Sequence, residues 1–143
     1  STGKYVAPQV VENKFKESSF IEQIMVVGEK EKYAAALVCP AFYFLHGWCA
    51  KHGIVFQDNK DLIEKQSVIN RFQKEIDRIN PLLGRHEQNK KFELVCQEWT
   101  PETGELSPTL KVKRRFLKEK YRIKLDRLYG YTEESGLVEA EED

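Results

Sequence analysis

Lys111 is the residue of this 143-residue chain whose setting most invites chemistry. It closes the proline-broken stretch Leu106-Ser107-Pro108-Thr109-Leu110-Lys111 and stands just ahead of Val112-Lys113-Arg114-Arg115 and a strongly basic helical pattern. Pro108 has no backbone N–H to donate and biases Ser107 toward an extended conformation, so the chain reaches Lys111 as a stiff loop. A lysine delivered in this way can reach into a neighbouring site, where a fixed ammonium stabilises developing negative charge. The competing reading is that a lysine opening a basic helix simply ends in solvent. Lys113 competes for the same role from two residues further on.

Other reactive side chains offer less. His46, His52 and His86 have no metal-ligand spacing and are expected to pack or to lie at the surface. Cys39, Cys49 and Cys96 are odd in number, far apart and set in apolar sequence. That argues against a disulfide framework or a zinc site and fits a reducing, cytosolic setting, so no metal ligand is assigned. Ser107 and Cys49 have no visible base partner, which leaves nucleophilic catalysis unsupported. Phe42, Tyr43, Phe44 and Trp48 are expected to fill the core rather than to line a ligand pocket.

The elements that must hold Lys111 follow from apolar spacing. Pro8 with Val11 and Phe15 predicts a short helix from about Pro8 to Lys16. Phe20 to Val27 and Tyr33 to Cys39 flank the polar turn Gly28 to Lys32 and predict an antiparallel hairpin. Phe42, Leu45, Cys49 and His52 predict a buried helix that stops at Gly53. A third helix carries Ile69, Phe72, Ile76, Ile79 and Leu83 on one side, with Arg71, Lys74, Glu75 and Arg78 on the other, and ends at Pro81 and Gly84. Phe92 to Trp99 alternates as a strand, Thr100 to Glu105 is a hairpin-like connection, and Leu106 is the expected return. The last helix shows the stripe Leu117, Tyr121, Leu125 and Leu128. Together these predict a small α+β domain with helices packed on a mainly antiparallel sheet.

Composition bounds the function. A 41% apolar chain with no run long enough to span a bilayer reads as a single globular domain, and 23 basic against 23 acidic residues exclude an overall polyanion binder. The charge is nevertheless uneven. Nine basic residues fall between Lys111 and Arg127, and the end of the chain, from Glu133 to Asp143, is acidic. The expected organisation is a domain over residues 1–130 and an acidic, flexible tail over 131–143.

The segment from Leu106 to Arg115 resembles the catalytic-lysine motif that closes the AMP-forming acyl-CoA synthetases, and its Pro-Thr-Leu-Lys wording resembles the long-chain fatty acid branch. Thr109-Leu110-Lys111 takes the place of Ser-Gly-Lys, with Leu110 where small-acid members carry glycine. Arg114-Arg115 follow where the family has its basic pair, which selects Lys111 over Lys113. At the other end, Gly3-Lys4-Tyr5-Val6-Ala7-Pro8-Gln9-Val10-Val11-Glu12 resembles the family's Gly-x-x-Val-x-Pro-x-Glu-Ile-Glu signature, with Val10 replacing the usual acidic residue. The two signatures stand in the family's order and at about its separation.

The resemblance implies the C-terminal lid domain of a long-chain fatty acid–CoA ligase. Such an enzyme joins a fatty acid to ATP as an acyl-adenylate, releasing pyrophosphate, and then transfers the acyl group to coenzyme A, releasing AMP. Lys111 would be the catalytic residue of the first step. Gly3 would line the passage of coenzyme A, where a Cβ would obstruct a narrow tunnel, with Lys4 and Tyr5 near the cofactor. ATP, coenzyme A and Mg2+ would be bound mainly by an N-terminal domain absent from this chain, whose start without methionine fits a position just beyond the hinge. The implied partners are that domain, the fatty acid, ATP and coenzyme A, with no nucleic acid. The implied setting is cytoplasmic, with peripheral membrane contact as a secondary option. An alternative class is a non-catalytic module that places the basic helix Lys111 to Arg127 on nucleic acid or an anionic membrane. A blander one is a domain that only docks to a partner.

Overall fold

A computed structural model describes residues 7–131. In chain order it contains α1 (Pro8–Phe15), β1 (Ile21–Val27), β2 (Ala34–Pro40), α2 (Phe42–Lys51), α3 (Asn59–Leu62), α4 (Gln66–Ile79), β3 (Asn89–Leu94), α5 (Arg114–Lys120) and α6 (Arg122–Leu128). The architecture is α+β, as the sequence predicts.

The sheet has the order β1-β2-β3. β1 and β2 form the expected antiparallel hairpin, with Ile24 opposite Val38 and a register shift between Ile21 and Gln23. β3 departs from expectation in two ways. It starts and ends earlier than the predicted Phe92 to Trp99, and it runs parallel to β2, with Phe92 opposite Ala36, so the sheet is mixed. A parallel partner needs a long crossover, and residues 41–88, which hold α2, α3 and α4, supply it.

Central β2 explains its own composition. Residues Ala35 to Pro40 are all buried, because helices cover both faces, and a strand buried on both sides reads as a continuous apolar run instead of an alternation. On one face Ile24, Ala36 and Val38 pack with Phe15, Leu45, Cys49, Phe72 and Ile76 from α1, α2 and α4. On the other, Met25, Leu37 and Cys39 pack with Val95, Trp99, Leu106, Leu117 and Tyr121. Burial pushes the Cys39 thiol up to about 12, which keeps it a small inert core residue.

Four further expectations change. The predicted last helix breaks at Tyr121, whose backbone (φ −107°, ψ 30°) separates α5 from α6 while its ring stays fully buried against Trp99. Leu106 does not return along β3; it forms an antiparallel bridge with Val112. Tyr43 and Phe44 do not fill the core, being 94% and 45% exposed on α2. Glu75 is not on a solvated face: it is buried, and it accepts hydrogen bonds from Ser18, Arg71 and Arg78. The α4 stripe accordingly centres on Val68, Phe72, Ile76 and Ile79.

Candidate functional site

The Lys111 loop is built from its backbone outward. The Leu106–Val112 bridge closes the loop at its base. Inside it, the Ser107 N–H donates to the Lys111 carbonyl at 2.8 Å and the Leu110 N–H to the Ser107 carbonyl at 2.8 Å. The Lys111 N–H donates to the Ser107 hydroxyl at 3.1 Å. Ser107 is therefore a loop-closing group. Leu110 has φ 66°, the left-handed region that favours glycine. It occupies the place where the resemblance puts glycine, and its left-handed backbone is one that glycine adopts without strain. Lys111 itself is exposed, and its ammonium has no hydrogen bond or ion pair among the described residues.

Lys113, the competing lysine, is already engaged. Its N–H donates to the Glu105 carbonyl at 2.9 Å, and its ammonium lies 5.8 Å from the centre of the Phe116 ring. That ring in turn sits against Gly104, where an added Cβ would come within 2.9 Å of it and where φ is +98°, so glycine is required twice over. Behind the loop, Glu105 is fully buried and paired with Lys120 at 2.6 Å. Burial alone would raise the Glu105 carboxyl, but hydrogen bonds from Lys120, Thr103 and Thr100 outweigh it and hold the group below the ordinary carboxylate range.

The helix that carries the end of the first motif meets the helix that follows Lys111 here. Arg114, at the first turn of α5, donates two hydrogen bonds to Glu12 of α1, at 2.7 and 2.9 Å, and Glu12 also accepts the Val26 N–H of β1 at 2.8 Å. The end of the first motif is thus clamped to the start of the helix that follows Lys111. Glu12 and Arg114 stand within the two motifs, but the sequence gives them no mutual role. The available signal was a carboxylate beside the buried Val11 on a helix otherwise packed by Phe15. A groove beside the clamp is walled by Gln9, Asn13, Lys16 and Gln23 on one side and by Thr109 and Lys111 on the other.

Much of the basic run is neutralised internally. Lys120 pairs with Glu105, while Lys124 and Arg127 pair with Glu93. Arg115, Lys118 and Arg122 remain exposed and line a shallow hollow with Arg114 and Glu119. His46 bonds Asn59 and stacks near Phe42 and Phe56, His52 bonds the Trp48 carbonyl, and His86 is exposed, as expected of packing or surface residues. Gly3, Lys4 and Tyr5, and the tail from residue 132, lie outside the described residues.

Fold and loop together define a small α+β domain that presents an exposed lysine, without an ion-pair partner among the described residues, from a hydrogen-bonded loop. The profile of the AMP-binding enzyme C-terminal domain matches residues 1–133, and the chain belongs to that family. It is 30% identical to Long chain acyl-CoA synthetase 8 of Arabidopsis thaliana over 131 residues, covering 90% of this chain and 18% of that protein. It is 32% identical to Long-chain-fatty-acid–CoA ligase 6 of Homo sapiens over 136 residues, covering 90% and 19%. The chain therefore spans about a fifth of the length of the curated relatives it matches. Among solved structures it is similar to the adenylation domain of the carboxylate reductase from Mycobacterium chelonae, with TM-score 0.69 and 25% identity over 89% of this chain and 18% of that one. It is also similar to the A-PCP didomain of carboxylic acid reductase from Segniliparus rugosus in complex with AMP, with TM-score 0.69 and 26% identity over 90% and 16%. The fold is that of the C-terminal domain of adenylate-forming enzymes.

Proposed function

We propose that this chain is the C-terminal lid of an AMP-forming long-chain fatty acid–CoA ligase and that Lys111 is its catalytic residue for acyl-adenylate formation. The observation that carries the reading is the exposed Lys111 ammonium, unpaired among the described residues, on a loop closed by hydrogen bonds between Leu106 and Val112. Adenylate formation brings a fatty acid carboxylate against the α-phosphate of ATP, two anions that repel, and expels pyrophosphate. A positioned ammonium bridges attacking carboxylate and α-phosphate and stabilises the charge that builds on the phosphoryl oxygens. Because the loop is ordered in advance, little reorganisation is needed at the moment of reaction.

ATP, Mg2+ and the fatty acid are assigned to the portion of the enzyme outside this chain. Among the described residues no group of three carboxylates, histidines or cysteines is arranged to hold a metal. Coenzyme A is assigned, by the resemblance of the first motif alone, to Gly3, Lys4 and Tyr5. Rotation of the lid between the half-reactions would then turn Lys111 away while the Gly3 face arrives. No described helix is long and apolar enough to cross a membrane. Binding by the basic helix is disfavoured because Arg114, Lys120, Lys124 and Arg127 are consumed by internal ion pairs.

The test uses the full-length enzyme that carries this domain. Lys111→Ala is expected to lower acyl-adenylate formation, followed by pyrophosphate release, about 100- to 1,000-fold. It should spare thioester formation from supplied acyl-adenylate and coenzyme A. Equal loss of both steps would sink the role given to Lys111. A second reading, the adenylation domain of a carboxylate reductase, is supported by the two structural neighbours. Product analysis separates the two, since acyl-CoA marks a ligase and an aldehyde marks a reductase.

A further inference from the structure

The peptide unit that precedes Lys111 is held at both of its polar atoms. Its N–H is fixed by the Ser107 hydroxyl at 3.1 Å. Its carbonyl, that of Leu110, accepts a hydrogen bond from the side-chain amide of Gln23 on β1 at 3.4 Å. The amide oxygen of Gln23 is held in turn by the Lys16 ammonium at 3.4 Å. Gln23 is only 8% exposed in a strand of otherwise apolar buried residues, and it sits at the register shift between Ile21 and Gln23. A buried amide is costly unless both ends are bonded, and here one end is spent on the loop that carries the lysine.

The orientation of that peptide plane decides where Lys111 points. The six atoms from one Cα to the next move as a plane, so holding the Leu110 carbonyl and the Lys111 N–H places the Lys111 Cα, and the Ser107 N–H on the Lys111 carbonyl at 2.8 Å then limits the direction in which its side chain leaves the backbone. The plane follows Leu110 at φ 66°, a conformation that a leucine leaves readily when nothing holds it. We propose that Gln23 is a positioning residue for Lys111, acting through the Leu110 carbonyl. It touches neither substrate nor reacting atoms. This inference rests on the assignment of Lys111 to adenylation.

The experiment compares Gln23→Met and Gln23→Glu with Lys111→Ala in the full-length enzyme. Both Gln23 variants keep the side-chain length, and both lose the donor that faces the carbonyl. Each is expected to lower the rate constant of adenylation about 10-fold, since small misplacements of a catalytic group are costly, while the KM for ATP and thioester formation from supplied acyl-adenylate stay unchanged and Tm falls by a few degrees at most. Combined with Lys111→Ala, either variant should add no further loss, which a general structural defect would not reproduce. Adenylation within twofold of the parent in both variants, with Lys111→Ala still severely impaired, would overturn the role of Gln23 alone. A silent Lys111→Ala would overturn the underlying assignment instead. A fall in Tm accompanied by equal loss of both half-reactions in the Gln23 variants would overturn the role of Gln23, by showing it to be a fold residue.

Discussion

The Lys111 loop and the Glu75 cluster on α4 use charge in opposite ways. At Glu75 the side chain is fixed: its carboxylate is buried and takes up Ser18, Arg71 and Arg78, with Arg71 also lying 5.1 Å over the Phe20 ring. At Lys111 the side chain has no partner among the described residues and the backbone is held, through the Leu106–Val112 bridge, Ser107 and Gln23. A group whose bonding capacity is spent inside the molecule can only stabilise it. A group that is held in place but unspent retains that capacity for a ligand. The contrast separates effects on folding from effects on chemistry, and substitutions on each side should divide accordingly.

The largest expected effect is the loss of adenylation in Lys111→Ala, with stability of the domain altered by no more than about 0.5 kcal/mol, as for exposed sites without structural partners. Parallel loss of Tm would erase the contrast. Next, Glu75→Leu should destabilise the domain by about 2–3 kcal/mol, since it strands the buried Ser18 hydroxyl and a partly buried Arg71, and leave Lys111 chemistry intact. Chemical denaturation measures the first and the pyrophosphate assay the second. Arg114→Ala falls on the border between the two regions. It should cost about 1–3 kcal/mol by leaving Glu12 with only the Val26 N–H, and it should also slow adenylation because α5 loses its tether to α1.

Acid should act on the Glu75 cluster and, through the likewise depressed Glu105, on the support behind the Lys111 loop. Burial would raise the Glu75 carboxyl, but the bonds from Arg78, Ser18 and Arg71 outweigh it and hold the group below its ordinary value of 4.5. A depressed folded value means that this stabilisation is complete above that ordinary value and is lost as pH falls through the depressed one. Denaturation midpoints should therefore drop below about pH 4.5, less steeply in Glu75→Gln than in the parent. The smallest effect is at Leu110. Leu110→Gly should stabilise by roughly 0.5 kcal/mol, the relief of left-handed strain offset by the entropy of glycine, whereas Leu110→Val should cost about 1 kcal/mol. If valine is tolerated freely, the loop is looser than its hydrogen bonds indicate.

What the sequence made legible follows from how local each feature is. α1, the β1–β2 hairpin, α2 and α4 each announce themselves by spacing within a single element, and all four are found. The direction of β3 is set by a partner far away in the chain, so alternation in Phe92 to Trp99 could not reveal it. The break at Tyr121 is hidden because Leu117, Tyr121 and Leu128 stay buried through it, and the stripe carries no mark of the backbone turn. Lys111 is singled out in the sequence by the motif that surrounds it. Gln23 and the Glu12–Arg114 clamp are not, since their partners lie 87 and 102 residues away. The trace that Gln23 did leave was an amide among apolar strand residues.

The parallel pairing of β3 with β2 has a consequence for how the domain is assembled. β1 and β2 can join across a short turn soon after both exist, whereas β2 meets β3 only after residues 41–88 have looped out and come back. Closing that loop costs chain entropy before any contact rewards it, which makes the seating of β3 the slow step of folding. Until then, the edge of β2 opposite β1 stands open, with apolar Ala35 to Cys39 along it. An unpaired apolar edge is a template for another chain, so association of incompletely folded molecules should begin at β2.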